Sequence, residues 1–190
     1  HQEHFASELA TRQVERLIAS APAPWREGAV LVGCPADERH AFPALLLTLF
    51  LRRRGWGSIC LGADVPAADF ADTVRLVKPI GVALVAQQLY SAATLAVAAS
   101  AISSLDVTVA YGGRIFVAAP ALRARIPAHY LGDSLDEAPE AMEKALSLGL
   151  RVAAELAPAS FAVARAHFAE MRPMIEADAL ANLPQLSLGG

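Results

Sequence analysis

Charge is scarce in this chain. Of its 190 residues only 18% are charged, 16 basic and 19 acidic, for a formal net charge of -3. The chain therefore carries no basic face for nucleic acid and no acidic one for cations. Its one basic cluster, Arg52-Arg53-Arg54, follows the expected helix Ala41–Leu51, where cations suit the negative end of the helix dipole. Cysteine is nearly absent: Cys34 and Cys60 fall at or near the ends of expected strands and make no metal-binding pair. Reduced, largely buried thiols in a cytoplasmic protein are the favoured reading, and a disulfide is the weaker one. Long apolar runs are missing too. The longest, Phe42–Leu51, is interrupted by Pro43 and Thr48 and falls short of the ~18 residues that cross a bilayer. The opening His1-Gln2-Glu3-His4 lacks the positive-then-apolar pattern of a secretion signal.

Apolar residues, by contrast, make up 55% of the chain, enough for one substantial core with peripheral helices. Five short runs rich in Val, Ile and Leu read as buried strands, at 29–34, 58–62, 80–86, 107–111 and 128–132. Helical spacing fills the segments 41–54, 67–77, 91–104, 116–124 and 135–150. Such alternation predicts an α/β protein, a parallel sheet with helices on both faces. Five strands favour the flavodoxin-like order 2-1-3-4-5, with its crevice between strands 1 and 3. Glycine and proline punctuate the turns: Gly55 and Gly57 before the second strand, Pro79 before the third, Gly112-Gly113 after the fourth, Gly132-Asp133 after the fifth.

Two pieces lie outside this α/β domain of residues 25–150. Residues 1–24 open with an amphipathic helix (Phe5, Leu9, Val14, Leu17, Ile18), expected to be the end of an upstream helical cap bundle. Residues 151–190 form a C-terminal helical extension broken at Pro158 and Pro173, with a frayed tail from Leu183.

The segment richest in chemistry is Glu38-Arg39-His40, directly after the first strand. In an open parallel sheet ligands bind beyond the carboxyl ends of the strands. A histidine there can give one ring nitrogen to a metal while a nearby carboxylate holds the other. Strands 1, 3, 4 and 5 would line the pocket with Cys34–His40, Ala86–Tyr90, Gly112–Arg114 and Gly132–Ser134. A phospho-accepting receiver is disfavoured, because strand 3 ends Val85-Ala86-Gln87-Gln88 with no acid. The turn Gly33-Cys34-Pro35-Ala36 lacks the G-x-G-x-x-G of a dinucleotide binder, and no hydroxyl-rich loop suits a flavin phosphate. What remains is a neutral crevice for a large, flat, mostly apolar ligand. Plainer readings stand beside this one. Glu38 and His40 could be a first-turn acid and a polar helix start, His4 a surface histidine, and Gly112-Gly113 a tight turn. His129 and His167 read as structural, Trp25 and Trp56 as packing residues, and Tyr90 as a pocket neighbour. No paired acids and no nucleophile–base set point to catalytic residues.

The pattern resembles the cobalamin-binding domain over about residues 26–148. That family carries Asp-x-His-x-x-Gly after strand 1, Ser-x-Leu on strand 3 and Gly-Gly ending strand 4. Here Glu38-Arg39-His40, the loop Leu61-Gly62-Ala63-Asp64-Val65-Pro66 and Gly112-Gly113 fall in register. The resemblance implies that His40 replaces the cofactor's own base on cobalt, supported by Glu38. It also implies that the displaced nucleotide tail lies between strands 1 and 3, lined by Gln87, Gln88, Leu89, Gly112 and Gly113. Arg39, Asp64, Val65, Ala86 and Arg114 complete the implied cofactor contacts. Pro43 stands at the family glycine, and Ala86 or Gln87 at its tail-binding serine. A remodelled pocket for haem or bilin is the alternative.

Glutamate in the motif is most similar to the light-sensing cobalamin regulators of the MerR type. There a helical bundle carries a Glu-His pair over the upper face of the corrin, and Glu3-His4-Phe5-Ala6-Ser7 is similar to it. The resemblance implies adenosylcobalamin as cofactor, His4 as a possible upper ligand, light as the signal, and a homo-oligomer that rearranges. Any DNA contact would come from a domain outside this chain. The competing expectation is a corrinoid carrier subunit of a methyltransferase or mutase.

Overall fold

The computed structural model describes residues 2–149, with 170, 171 and 174, and side chains only from residue 7 onward in the first helix. The chain divides into two compact units, 1–154 and 155–190. The expected C-terminal helices and tail of 151–190, with His167, lie outside the described residues apart from those three positions.

Five strands form one parallel sheet in the order β2-β1-β3-β4-β5. They are β1 (Ala29–Pro35), β2 (Gly57–Val65), β3 (Gly81–Val85), β4 (Thr108–Gly112) and β5 (His129–Tyr130). Around them run α1 (Gln2–Ala19), α2 (Phe42–Arg53), α3 (Ala67–Val77), α4 (Leu89–Ser103), α5 (Arg114–Ala118) and α6 (Ala138–Ser147). The anticipated flavodoxin-like arrangement is thus the observed one.

The central strands are apolar on both faces because both are covered. Alternate residues feed two cores. On one side Leu31, Val82, Leu84, Val109 and Tyr111 meet Phe70, Leu95, Ile102 and Phe116 from α3, α4 and α5. On the other Val30, Val32, Ala83, Val85 and Ala110 meet Leu47, Leu51 and Met142 from α2 and α6. Helix α1 seats the buried Val14 in the same unit, and Arg52 of α2 donates to the Ile18 carbonyl at 3.2 Å.

Most bounds shift by one to three residues from their expected places, and three departures have a clear local reason. Strand β2 runs on to Val65, because two register shifts against β1 let it pass Gly62 and stay paired. The expected helix 116–124 is split: Pro120 has no N–H to continue α5, and a 3-10 turn, Pro120–Arg125, follows. Strand β5 shrinks to two residues between Pro127 and Gly132.

Trp56 packs as expected, half-buried, and donates to Glu143 Oε1 at 3.1 Å. Trp25 does not bury: it is 70% exposed, yet Arg26 stacks on both rings with its guanidinium carbon 4.9 Å from each. Glu143 also accepts from Nε and Nη2 of Arg54, at 2.8 and 2.7 Å. This cluster fastens the segment after α1 at the amino end of the sheet.

Of the Gly112-Gly113 pair, Gly113 is the demanding one. Its φ is +126°, and a Cβ there would lie 1.9 Å from the Ala86 carbonyl oxygen. A Cβ on Gly112 would meet only Leu131 Cβ, at an ordinary 3.8 Å. Gly113→Ala is expected to lose about 2–4 kcal/mol from strain and overpacking. Gly112→Ala should change stability by less than about 1 kcal/mol, with urea unfolding followed by circular dichroism as the measurement. Equal losses would show that the Ala86 contact does not set the requirement.

Candidate functional site

β1 leads outward to β2, and the chain then returns past β1 to β3, so the connections that leave the carboxyl ends of β1 and β3 run toward opposite edges of the sheet. The loop Ala36–Ala41 is the first of these connections, between β1 and the start of α2.

Glu38 is the buried centre of this loop, 0% exposed. Its Oε1 accepts from the His40 backbone N–H at 2.9 Å and lies 2.7 Å from His40 Nδ1. Its Oε2 accepts from the Gln87 N–H and from the Ser91 hydroxyl, each at 2.6 Å. Burial alone would raise the Glu38 carboxyl. The bonds from Ser91, Gln87 and His40 outweigh it and hold the group below the ordinary glutamate range. Glu38 is therefore ionised at neutral pH and acts only as an acceptor.

That fixes the imidazole. A carboxylate oxygen at 2.7 Å requires the hydrogen on Nδ1, which leaves the lone pair of a neutral ring on Nε2. The His40 side chain is 56% exposed, so Nε2 belongs to an accessible ring on a fixed mount. Among the described residues no group of three or more His, Cys, Asp or Glu side chains could hold a bare metal ion. A lone exposed imidazole suits a metal that brings its equatorial ligands with it.

The loop is pinned from three further directions. Asp64, at the end of β2, accepts the Asp37 N–H at 2.8 Å and gives its own N–H to the Glu38 carbonyl at 2.9 Å. Thr94 of α4 donates to the Ala36 carbonyl at 2.5 Å. Beneath the loop, burial first, then the charge of Glu38 and the neighbouring Cys60, push the Cys34 thiol up to about 12. Cys34 is a neutral thiol that donates to the His40 carbonyl across 3.8 Å. Both cysteines are free, as anticipated.

Most of the anticipated residues meet at this edge. Ala86 is buried and donates its backbone N–H to the Gly112 carbonyl at 3.1 Å. Gln87 Oε1 accepts the Arg114 N–H at 3.3 Å, joining the ends of β3 and β4. Gln88 brings Nε2 within 3.4 Å of His40 Nδ1. Arg39 and Arg114 are exposed, and Val65 closes β2 half-buried. At the carboxyl edge of the sheet the starts of α2 and α4 leave Phe42, Leu89 and Tyr90 exposed, at 36, 63 and 54%. This rim is apolar and sits where the sheet topology gathers helix starts. His4 lies in α1, but its side chain is outside the described residues.

Sequence reasoning missed Ser91 and Thr94. Ser91 stands three residues after the N-cap Gln88 and accepts its N–H at 3.2 Å, the signature of a capping box. Gln is an unusual first member of that pattern, so the sequence alone places the helix start at 91 and not at Leu89.

No family model matches the chain. Over 85 residues it is 40% identical to the HTH-type transcriptional repressor CarA of Myxococcus xanthus, a match spanning 43% of this chain and 28% of the repressor. Among solved structures it is similar to a cobalamin-binding protein from Desulfitobacterium hafniense DCB-2, with a TM-score of 0.58 at 18% identity, covering 76% of this chain and 75% of that one. The methanol:cobalamin methyltransferase complex MtaBC of Methanosarcina barkeri gives a TM-score of 0.56 at 23% identity, covering 70% of this chain and 52% of that one. The monomethylamine corrinoid protein of the same organism gives 0.52 at 22%, covering 75% and 65%. The fold is that of cobalamin-binding domains, as the motif reading anticipated.

Glu38 also sets a pH dependence. A carboxyl held below its unfolded value contributes stability that is complete above the unfolded value and is lost as pH falls through the folded one. The stability advantage of wild type over Glu38→Gln should be constant near neutrality and shrink below about pH 4.3. Thermal melts of both proteins across pH 7 to 3 check this; parallel curves throughout would contradict it.

Proposed function

We propose that this chain is a cobalamin-binding sensor module of a regulator, in which His40 is the lower axial ligand of cobalt. The observation that carries the reading is the exposed His40 ring whose Nδ1 is held at 2.7 Å by the buried carboxylate of Glu38. The donor set fits the group: one imidazole Nε2 for an axial position, with the exposed apolar side chains of Phe42, Leu89 and Tyr90 at the neighbouring helix starts for a flat macrocycle.

Glu38 keeps the ring in the tautomer that can bind metal and raises the basicity of Nε2. Ser91 and the Gln87 amide keep Glu38 ionised and immobile. Gln87, Gln88, Leu89, Gly112 and Gly113 are the residues for the displaced nucleotide tail, while Arg39, Val65, Ala86 and Arg114 complete the wall and Asp64 holds the loop that carries Glu38 and His40. When bound, adenosylcobalamin would supply a light-sensitive cobalt–carbon bond. His4 is the candidate upper ligand, and rearrangement of a homo-oligomer is the output. The regulatory role is supported by the identity to a transcriptional repressor, of which the chain spans 28%. DNA contact, on this reading, belongs to sequence outside this chain. No helix among the described residues is long and apolar enough to cross a membrane.

A carrier subunit for a methyltransferase is the second reading, favoured by the fold likeness to MtaBC and the monomethylamine corrinoid protein. On that reading the face above His40 is open to a catalytic partner.

The test is an absorption spectrum with adenosylcobalamin, before and after green light, on wild type and His40→Ala. Wild type should give the base-off, histidine-on spectrum, and the mutant should bind at least about tenfold more weakly or with a changed spectrum. An unchanged spectrum and affinity would remove His40 as ligand. Size-exclusion in dark and light separates the readings, since a sensor shifts its elution and a carrier does not. A haem or bilin spectrum in the purified protein would replace cobalamin altogether.

A further inference from the structure

We infer that Asp64 is a positioning residue for His40, acting through the backbone of the loop and not by touching the ligand. The inference rests on the reading of His40 as the axial ligand.

Asp64 makes two bonds to the loop, and they are reciprocal. Its Oδ1 accepts the Asp37 N–H at 2.8 Å, and its own N–H donates to the Glu38 carbonyl at 2.9 Å. The two peptide groups so held lie immediately before and on the residue that orients the imidazole. Both partners adopt left-handed backbone conformations, Asp37 at φ +67° and Asp64 at φ +56°. Non-glycine residues adopt that region at a cost and persist there only where the surroundings over-determine them. Aspartate often tolerates it by bonding its own local backbone. Asp64 instead bonds a residue 27 positions away.

The path of β2 is arranged to deliver this contact. Between Val32 and Pro35 the register of β2 against β1 slips twice, from Val32 with Cys60, to Gly33 with Gly62, to Pro35 with Val65. Three residues of β1 are thus matched by five of β2, and the two extra residues lift the strand end toward the loop. Gly62, at φ +83° with open space around its α-carbon, absorbs the turn. Asp64 is exposed and adds nothing to either core. Its geometry is accounted for by the loop that it holds.

Three substitutions separate the parts. Asp64→Asn keeps an acceptor oxygen and a residue suited to left-handed backbone. Asp64→Gly keeps the backbone freedom and removes the acceptor. Asp64→Ala removes the acceptor with the Cβ retained, and serves if the glycine variant does not fold. Two readouts are taken on the whole chain: exchange of the Asp37 amide without ligand, by NMR, and affinity and spectrum with aquocobalamin. Asp64→Asn is expected to stay within about twofold of wild type in both. Asp64→Gly should expose the Asp37 amide and weaken aquocobalamin binding by about tenfold, the scale of losses for residues that orient a metal ligand. Weaker binding with the Asp37 amide still protected would overturn the inference in favour of direct ligand contact. Unchanged binding in Asp64→Gly, while His40→Ala loses affinity, would overturn it outright. His40→Ala without effect would instead sink the ligand assignment on which the inference rests.

Discussion

One buried carboxylate organises the functional end of this protein. Glu38 receives four hydrogen bonds, two on each oxygen, from the His40 backbone and ring, the Gln87 amide and the Ser91 hydroxyl. Those donors come from the β1 loop, the end of β3 and the first turn of α4, so a single side chain joins three elements at the mouth of the sheet. An ion without this set would not stay buried, since desolvation of an unpaired carboxylate costs several kcal/mol or more. Conversely, removing the carboxylate would strand donors in a dry place. The arrangement is therefore cooperative: Glu38 is buried because its partners converge, and they are ordered because it is there.

The two ends of the sheet use charge differently. At the amino end Arg54 and Glu143 meet in a two-pronged ion pair, with Arg26 stacked between Trp25 and Trp56. Such a cluster saturates itself and serves attachment. At the carboxyl end Glu38 also has its partners within the protein, but one of them is a ring with a second nitrogen. The carboxylate fixes the near side of His40 and leaves the far side accessible. Rigidity beneath and access above is what a metal ligand needs.

Much of this was legible in the sequence, and the reasons are specific. Val30–Val32, Val82–Val85 and Val109–Ala110 are buried on both faces, so uninterrupted apolar runs announced parallel central strands. Alternation with helices and a count of five strands then favoured the order 2-1-3-4-5, and that order indicates where a ligand could sit. Glu38 and His40 were legible because their two-residue spacing allows a turn to bring carboxylate and ring together. Ser91 and Thr94 were not legible. Each is an ordinary helix hydroxyl until the fold carries α4 under a loop more than fifty residues earlier. Asp64 stood in a recognisable loop, but its contact depends on two register slips that no periodicity encodes. The α5 break was foreseeable from Pro120, whose missing N–H breaks the interior of a helix although it suits the start of the next turn.

The same reasoning explains why the motif tolerates glutamate and proline where the resembling family has aspartate and glycine. A glutamate carries one more methylene than aspartate, and here that length places both oxygens deep enough to meet Ser91 and Gln87 N–H while Oε1 still reaches the ring two residues on. Pro43 falls in the first turn of α2, where a backbone N–H has no partner within the helix and the fixed φ suits the geometry. The substituted positions are thus paid for locally, by burial in one case and by helix-start geometry in the other. What the site cannot exchange is the pairing itself: a carboxylate held on every side by protein, and a ring held on one side only.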